Sequence, residues 1–352
     1  MLKIVLVSAL LLGFAADARK IQDKGGSIIF EEAYTTSKLI QLTGIGGLAP
    51  QLLTNLQDIH NQRLAGMDAT GVDYMVLSCA NPCIQAIAEQ STAESLAREF
   101  NDGLAASIAN SSDRFGAFAA LSMHNATNAA LELNRTVTEL GFLGALINDY
   151  QVSGPNNDTL LFYDSPAYDP FWQMVATLDV PVYLHPRNNI KTIENALYSH
   201  ATWLQGPAQE FAATLSTHIL GICANGVFDR FPTVQLIVGH MGERIPSDLW
   251  RIDNALATNI GGGTVIPPML RNITYYFQHN ILETTAGQFT TDLLQFHASQ
   301  IGIDRILHSV DYPYVRLELG SEWLDTLVGA MGPRELHDLK RGRAIKVLRL
   351  DH

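Results

Sequence analysis

Eight short apolar runs, each followed by a longer stretch with helical spacing, restrict the folds open to this chain more than any other feature. The runs lie at residues 27–30, 74–77, 116–119, 145–147, 180–184, 234–238, 281–283 and 305–307, and are aliphatic or β-branched. Strands covered on both faces look like this, because neither face meets water. Residues 56–69, 92–110, 126–140, 170–178, 208–228, 246–258 and 290–300 lie between them, with apolar residues at three- and four-residue spacing. Such spacing forms one buried stripe on a helix. Repeated β–α alternation predicts an α/β fold, a single closed parallel (β/α)8 TIM barrel, with residues 322–348 packed as C-terminal helices. The 352 residues, 47% of them hydrophobic, suffice for one such core. Two longer connections, 188–205 and 259–269, are expected as loops, the second carrying Gly261-Gly262-Gly263.

The net charge of −12, without a basic run, argues against a nucleic-acid partner. It does not exclude an anionic substrate, because a bound metal would supply local positive charge. Lys3, an apolar run from Ile4 to Ala16 and the small-x-small triplet Ala16-Asp17-Ala18 form a secretory leader pattern. Residues 1–18 are therefore expected to be a signal peptide and 19–352 the barrel, routed to the secretory pathway. The leader is too short to leave a stable membrane span. Asn110, Asn125, Asn134, Asn157 and Asn272 each open an Asn-x-Ser/Thr acceptor triplet, so a glycoprotein is expected. Cys79, Cys83 and Cys223 are odd in number. A Cys79–Cys83 bridge is one reading; three separate buried thiols is the expectation.

Catalytic groups of such barrels stand at the C-terminal ends of the strands. Here those ends supply Glu31-Glu32 after the first strand, His185 after the fifth, His240 after the sixth and Asp311 after the eighth. Taken singly, each has an ordinary explanation: a His after a strand is commonly a hydrogen-bonded core residue, and an Asp before a turn a cap. Their convergence on one mouth makes them a candidate site for a divalent metal, which accepts nitrogen and oxygen donors.

Glu31-Glu32-Ala33, Leu184-His185-Pro186, the segment Gly239-His-Met-Gly-Glu243 and Ser309-Val-Asp311 together resemble the motifs of the hydroxybenzoate decarboxylases of the amidohydrolase superfamily. That family includes 2,3-dihydroxybenzoate, salicylate and γ-resorcylate decarboxylases. The likeness runs from about Ile28 almost to the C-terminus and takes in stretches without catalytic residues, such as those beginning at Arg114 and Glu139. It implies that Glu31, His185 and Asp311 are metal ligands and that His240 and Glu243 form an acid–base dyad. It also implies a homo-oligomer. Some relatives place a ligating His where Ala33 stands; without that nitrogen, manganese or magnesium suits the site as well as zinc. His308, unusual before Ser309-Val-Asp311, is expected to fill a packing position, the alternative being a role near the metal. His218 is open between pocket and core. Tyr198 and Trp203, in the first long connection, are expected to help select the acid.

The implied reaction is non-oxidative decarboxylation of a small aromatic carboxylic acid bearing an ortho hydroxyl, such as a salicylate, a 2,3-dihydroxybenzoate or an orsellinate. Protonating the ring carbon that bears the carboxylate avoids an aryl anion, and the ortho oxygen feeds electrons to the ring. Asp311 is the expected proton donor, with His240 the second candidate. No Gly-rich dinucleotide fingerprint is present. Two other readings are a metal-dependent hydrolase of a lactone or amide, and a non-catalytic secreted barrel glycoprotein.

Overall fold

The computed structural model describes residues 19–21, 24–258 and 267–351. The leader and most of the connection 259–269 lie outside the described residues. All eight expected strands form: β1 (Ser27–Tyr34), β2 (Val72–Cys79), β3 (Phe115–Ala117), β4 (Ala145–Asn148), β5 (Val182–His185), β6 (Leu236–Val238), β7 (Ile281–Thr284) and β8 (Ile306–Leu307). Neighbours pair in parallel from β1 to β3 and from β4 to β8. A parallel bridge between Ala119 and Ala145 joins the two arcs.

Side-chain alternation explains why the strands are apolar on both faces. Ile28, Phe30, Tyr74, Val76, Phe118, Tyr183, Ile237 and Leu282 share one buried cluster inside the barrel. Ile29, Met75, Leu77, Val182, Leu184, Leu236 and Val238 join the larger cluster beneath the helices. Those helices include α1 (Gln62–Thr70), α2 (Gln90–Ile108), α3 (Ala126–Thr138), α4 (Asp169–Leu178), α5 (Glu210–Ala224), α6 (Leu249–Thr258), α7 (Thr291–Ile301) and α8 (Leu317–Thr326). The stretch Glu210–Arg230 is apolar enough to pass for a membrane span, with a mean hydropathy of 1.4. Its Leu215, Ile219 and Ile222 are fully buried in the core, which accounts for that apolarity. At the N-terminal ends of the strands, Ala344, Leu348 and Leu350 of the C-terminal segment join the interior cluster and plug the barrel.

The joint between β8 and β1 is made differently. The Ser309 hydroxyl accepts from the backbone N–H of Phe30 at 3.0 Å and of Glu31 at 2.9 Å. The buried Glu32 carboxylate accepts from Ser309 Oγ at 2.8 Å and from the N–H groups of Val310 and Tyr312 at 3.1 and 2.7 Å. Ala33 N donates to Tyr312 O at 2.8 Å. Side chains thus do at this joint what a backbone ladder does elsewhere, meeting the requirement that buried N–H groups be paired.

Two expectations are corrected. Cys79 and Cys83 are joined in a disulfide, and Cys223 alone is a buried thiol among the described residues. Cys83 sits at φ 47° where the chain folds back into the helical turn Cys83–Ala86, bringing the two Cα atoms to 5.7 Å. The connection 188–205 is not an open loop, for it contains the helix Lys191–Tyr198 and the turn Thr202–Leu204. The buried Glu210 carboxylate gathers its ends by accepting from Asn189 N at 3.0 Å and Gly206 N at 2.7 Å.

Candidate active site

Glu31 reaches the barrel mouth because β1 is bulged. Ile29 pairs with Met75 and Glu32 with Leu77, so β1 spends three steps where β2 spends two. The extra residue re-aims the strand. Glu31 Oε2 accepts from the hydroxyls of Tyr183 and, at 3.0 Å, Thr284. Glu31 Oε1 is buried without a hydrogen-bond partner. A Cβ on Gly239 would lie 2.5 Å from Oε1, so only glycine lets this carboxylate in.

The imidazoles close on the same oxygen. His185 ends β5; its Nδ1–H donates to Pro186 O at 2.7 Å, which leaves Nε2 to point at Glu31 Oε1, 3.3 Å away. His240 follows β6 in a left-handed run, with φ of 52° at His240, 55° at Met241 and 63° at Gly242. Left-handed backbone at non-glycine residues is costly and concentrates at functional sites. The run turns His240 Nδ1 onto Glu243 Oε1 at 2.7 Å and Nε2 toward Glu31 Oε1 at 3.3 Å. Asp311, also left-handed at φ 77°, brings Oδ2 to 3.8 Å from His240 Nε2. One ligand atom from each of Glu31, His185, His240 and Asp311 falls within 4.8 Å of the others.

Charge balance follows from this packing. Burial alone would raise the Glu31 carboxyl; His240, His185 and Tyr183 outweigh it and hold Glu31 below the usual carboxylate range. Burial and then the negative charge of Glu31 raise Asp311, against the opposing contact with His240. His240 is held well above its ordinary value, since Glu31 and Glu243 overcome its desolvation. The Glu31 and Asp311 carboxylates and His185 Nε2, gathered about the orphaned Glu31 Oε1, fit a divalent cation. His185 also gives its other ring nitrogen to Pro186 O, the arrangement that orients a metal-binding imidazole.

The cluster opens on a cavity of about 480 Å³ lined by His185, His240 and Asp311 and by apolar side chains including Leu48, Phe211 and Val315. Asn188 lines it, but of the two aromatics expected there Trp203 is 75% exposed and Tyr198 is buried away from the lining. His218 is a core residue, its Nδ1 2.8 Å from buried Asp149 and its Nε2 accepting from Tyr163 N at 2.9 Å. His308 is buried behind the site, bonded to Thr285 Oγ1 at 3.0 Å and stacked near Trp323, as expected of a packing residue. Ala33 is buried and offers no ligand. Sequence reasoning missed Tyr183 and Thr284. Tyr183 stands two residues before His185 and so shares its face of the strand, which is the signal that could have found it.

A closed (β/α)8 ring with carboxylates and imidazoles converging at its C-terminal mouth defines the metal-centre class of barrel enzymes. The Amidohydrolase family profile matches residues 52–350. A γ-resorcylate decarboxylase of Polaromonas sp. is 39% identical over 305 residues, covering 85% of this chain and 92% of the relative. The crystal structure of a 2,6-dihydroxybenzoate decarboxylase complexed with 2,6-dihydroxybenzoate has a TM-score of 0.86 at 37% identity, covering 92% of this chain and 99% of that one. A dihydroxybenzoic acid decarboxylase from Polaromonas sp., solved with bound manganese and the inhibitor 2-nitroresorcinol, has a TM-score of 0.86 at 36% identity, covering 93% and 98%. The chain belongs to the hydroxybenzoate decarboxylase family of the amidohydrolases.

Proposed function

We propose that this protein decarboxylates a dihydroxybenzoic acid of the γ-resorcylate type, releasing a phenol and carbon dioxide. The orphaned Oε1 of Glu31, ringed by His185, His240 and Asp311, carries this reading. The substrate and manganese of the solved relatives support it. Glu31, His185 and Asp311 would hold the metal, and manganese is the preferred ion, ahead of zinc or magnesium. Bound there, a divalent cation would supply the positive charge that balances an anionic aromatic acid.

Asp311 faces the cavity and delivers a proton to the ring carbon bearing the carboxylate. The carbon–carbon bond then breaks, carbon dioxide leaves, and the ring regains aromaticity with hydrogen in its place. His240, anchored by Glu243, returns a proton to Asp311. The apolar wall keeps water from the protonated ring. Turnover in heavy water tests this: one deuterium should appear at the former carboxylate position. Release of no carbon dioxide from any ortho-hydroxybenzoate would overturn the reading.

A secretory route belongs to the same proposal. Asn110, Asn125, Asn157 and Asn272 are exposed. Asn125 and Asn272 use only Oδ1 to cap their helices, leaving Nδ2 for a glycan. The Cys79–Cys83 bridge suits an oxidising compartment.

A further inference from the structure

A second polar group lines the cavity apart from the metal cluster. Ser247, in the turn Ile245–Ser247 after β6, places Oγ 3.0 Å from His297 Nε2. His297, on α7, places Nδ1 3.0 Å from both carboxylate oxygens of Glu283 in β7. An Nδ1 equidistant from both oxygens donates its N–H to the carboxylate. Nε2 then presents a lone pair, and the Ser247 hydroxyl donates to it. Glu283 and His297 are fully buried, whereas Ser247 is exposed. A hydroxyl within reach of an imidazole that a buried carboxylate orients is the arrangement of an activated nucleophile. Nothing in the metal cluster uses these residues.

The cavity is also larger than one ring requires. At roughly 30 Å³ per water its 480 Å³ would hold about 16 waters. A dihydroxybenzoic acid has only about eleven non-hydrogen atoms, which pack more tightly than water molecules. Ser247 and His297 share this cavity with His185, His240 and Asp311.

We propose that Ser247, His297 and Glu283 form an acyl-transfer site that hydrolyses aryl esters of hydroxybenzoic acids. Ser247 Oγ attacks the ester carbonyl and its proton passes to His297 Nε2. The carbon–oxygen bond to the phenol breaks, and the departing phenolate takes that proton. Water, deprotonated by His297, then attacks the acyl-serine, and the acid leaves as Ser247 regains its proton. Glu283 balances the charge of the imidazolium throughout. Only the choice of acid half rests on the decarboxylase reading, since the acid released is the class consumed at the metal cluster.

The test uses the full chain loaded with manganese. A fluorophosphonate should form an adduct on Ser247, located by peptide mass spectrometry. Phenyl salicylate should be hydrolysed, and Ser247→Ala, which alters an exposed turn, should lower that rate at least about 100-fold with an unchanged circular dichroism spectrum. Chelation should stop decarboxylation and leave ester hydrolysis in place. The proposal is overturned by an adduct elsewhere or none, by absent hydrolysis, by a Ser247→Ala rate near the parent's, or by hydrolysis that disappears with the metal. Failure of the decarboxylase reading is distinct: ester hydrolysis persists while no hydroxybenzoate yields carbon dioxide.

Discussion

Mild acid should weaken the fold through one buried imidazole. His308 is enclosed beside Phe289 and Trp323, its backbone N–H donates to Leu339 O at 3.0 Å, and its Nδ1 meets Thr285 Oγ1 at 3.0 Å. Burial, aided by the positive charge of Lys340, pushes its pKa down to about 3. In the unfolded chain a histidine titrates near 6.5. The folded value is depressed, so the stability it contributes is present above about 6.5 and lost as pH falls toward 3. Between about pH 7 and about pH 5 the unfolded chain gains about 0.7 of a proton here and the folded chain gains almost none, which integrates to a loss of about 2 kcal/mol. His308→Gln keeps a polar partner for Thr285 and removes the titration. Urea unfolding of both proteins at both pH values isolates the effect, because other groups cancel in the double difference. The parent should lose about 2 kcal/mol more than the variant. Equal pH dependence in the two would refute a neutral, desolvated imidazole at this position.

Other outcomes concern the site. Asp311→Asn should still bind substrate but turn over about 100- to 10,000-fold more slowly, read as single-turnover rates in heavy water. A near-parent rate there with a dead His240→Asn would move the proton to the His240–Glu243 pair. His185→Ala should lose metal by elemental analysis while keeping its circular dichroism spectrum; full metal and full activity would remove His185 from the ligand set. Tyr183→Phe takes a hydroxyl from buried Glu31 and should weaken metal affinity about 10- to 100-fold in chelator competition. Protein from the native host should begin near Arg19 and shift in mobility on deglycosylation, whereas an intact Met1 with no shift would dismiss the secretory route.

The barrel was legible because strands covered on both faces must be apolar throughout, and helices must carry one stripe. His185, His240 and Asp311 were legible because strand ends are where a barrel puts its chemistry. What stayed hidden depends on distant partners. Thr284 and Glu31 are 253 residues apart, and Ser309 and Glu32 are 277 apart. No local pattern marks such pairs. Gly239 reads as an ordinary turn glycine until the Glu31 carboxylate is seen against it. The helix Lys191–Tyr198 was missed because proline and glycine flank a region held at both ends by Glu210, a tertiary constraint. Glu283 and His297 carry no sequence signal, since a hydrogen-bonded pair 14 residues apart on a strand and a helix meets only after folding.

The joint between the last strand and the first has a consequence for when this protein becomes active. Glu32 and Ser309 clasp the ring, and their near neighbours Glu31 and Asp311 belong to the site. Any form in which the ring has not shut, whether a nascent chain short of β8 or a molecule breathing open at that joint, pulls the two carboxylates apart and is chemically inert. Catalysis is thereby gated on closure of the joint that runs from Ser309 to Tyr312, and loss of turnover on heating should precede loss of helix content if this joint is the first to part.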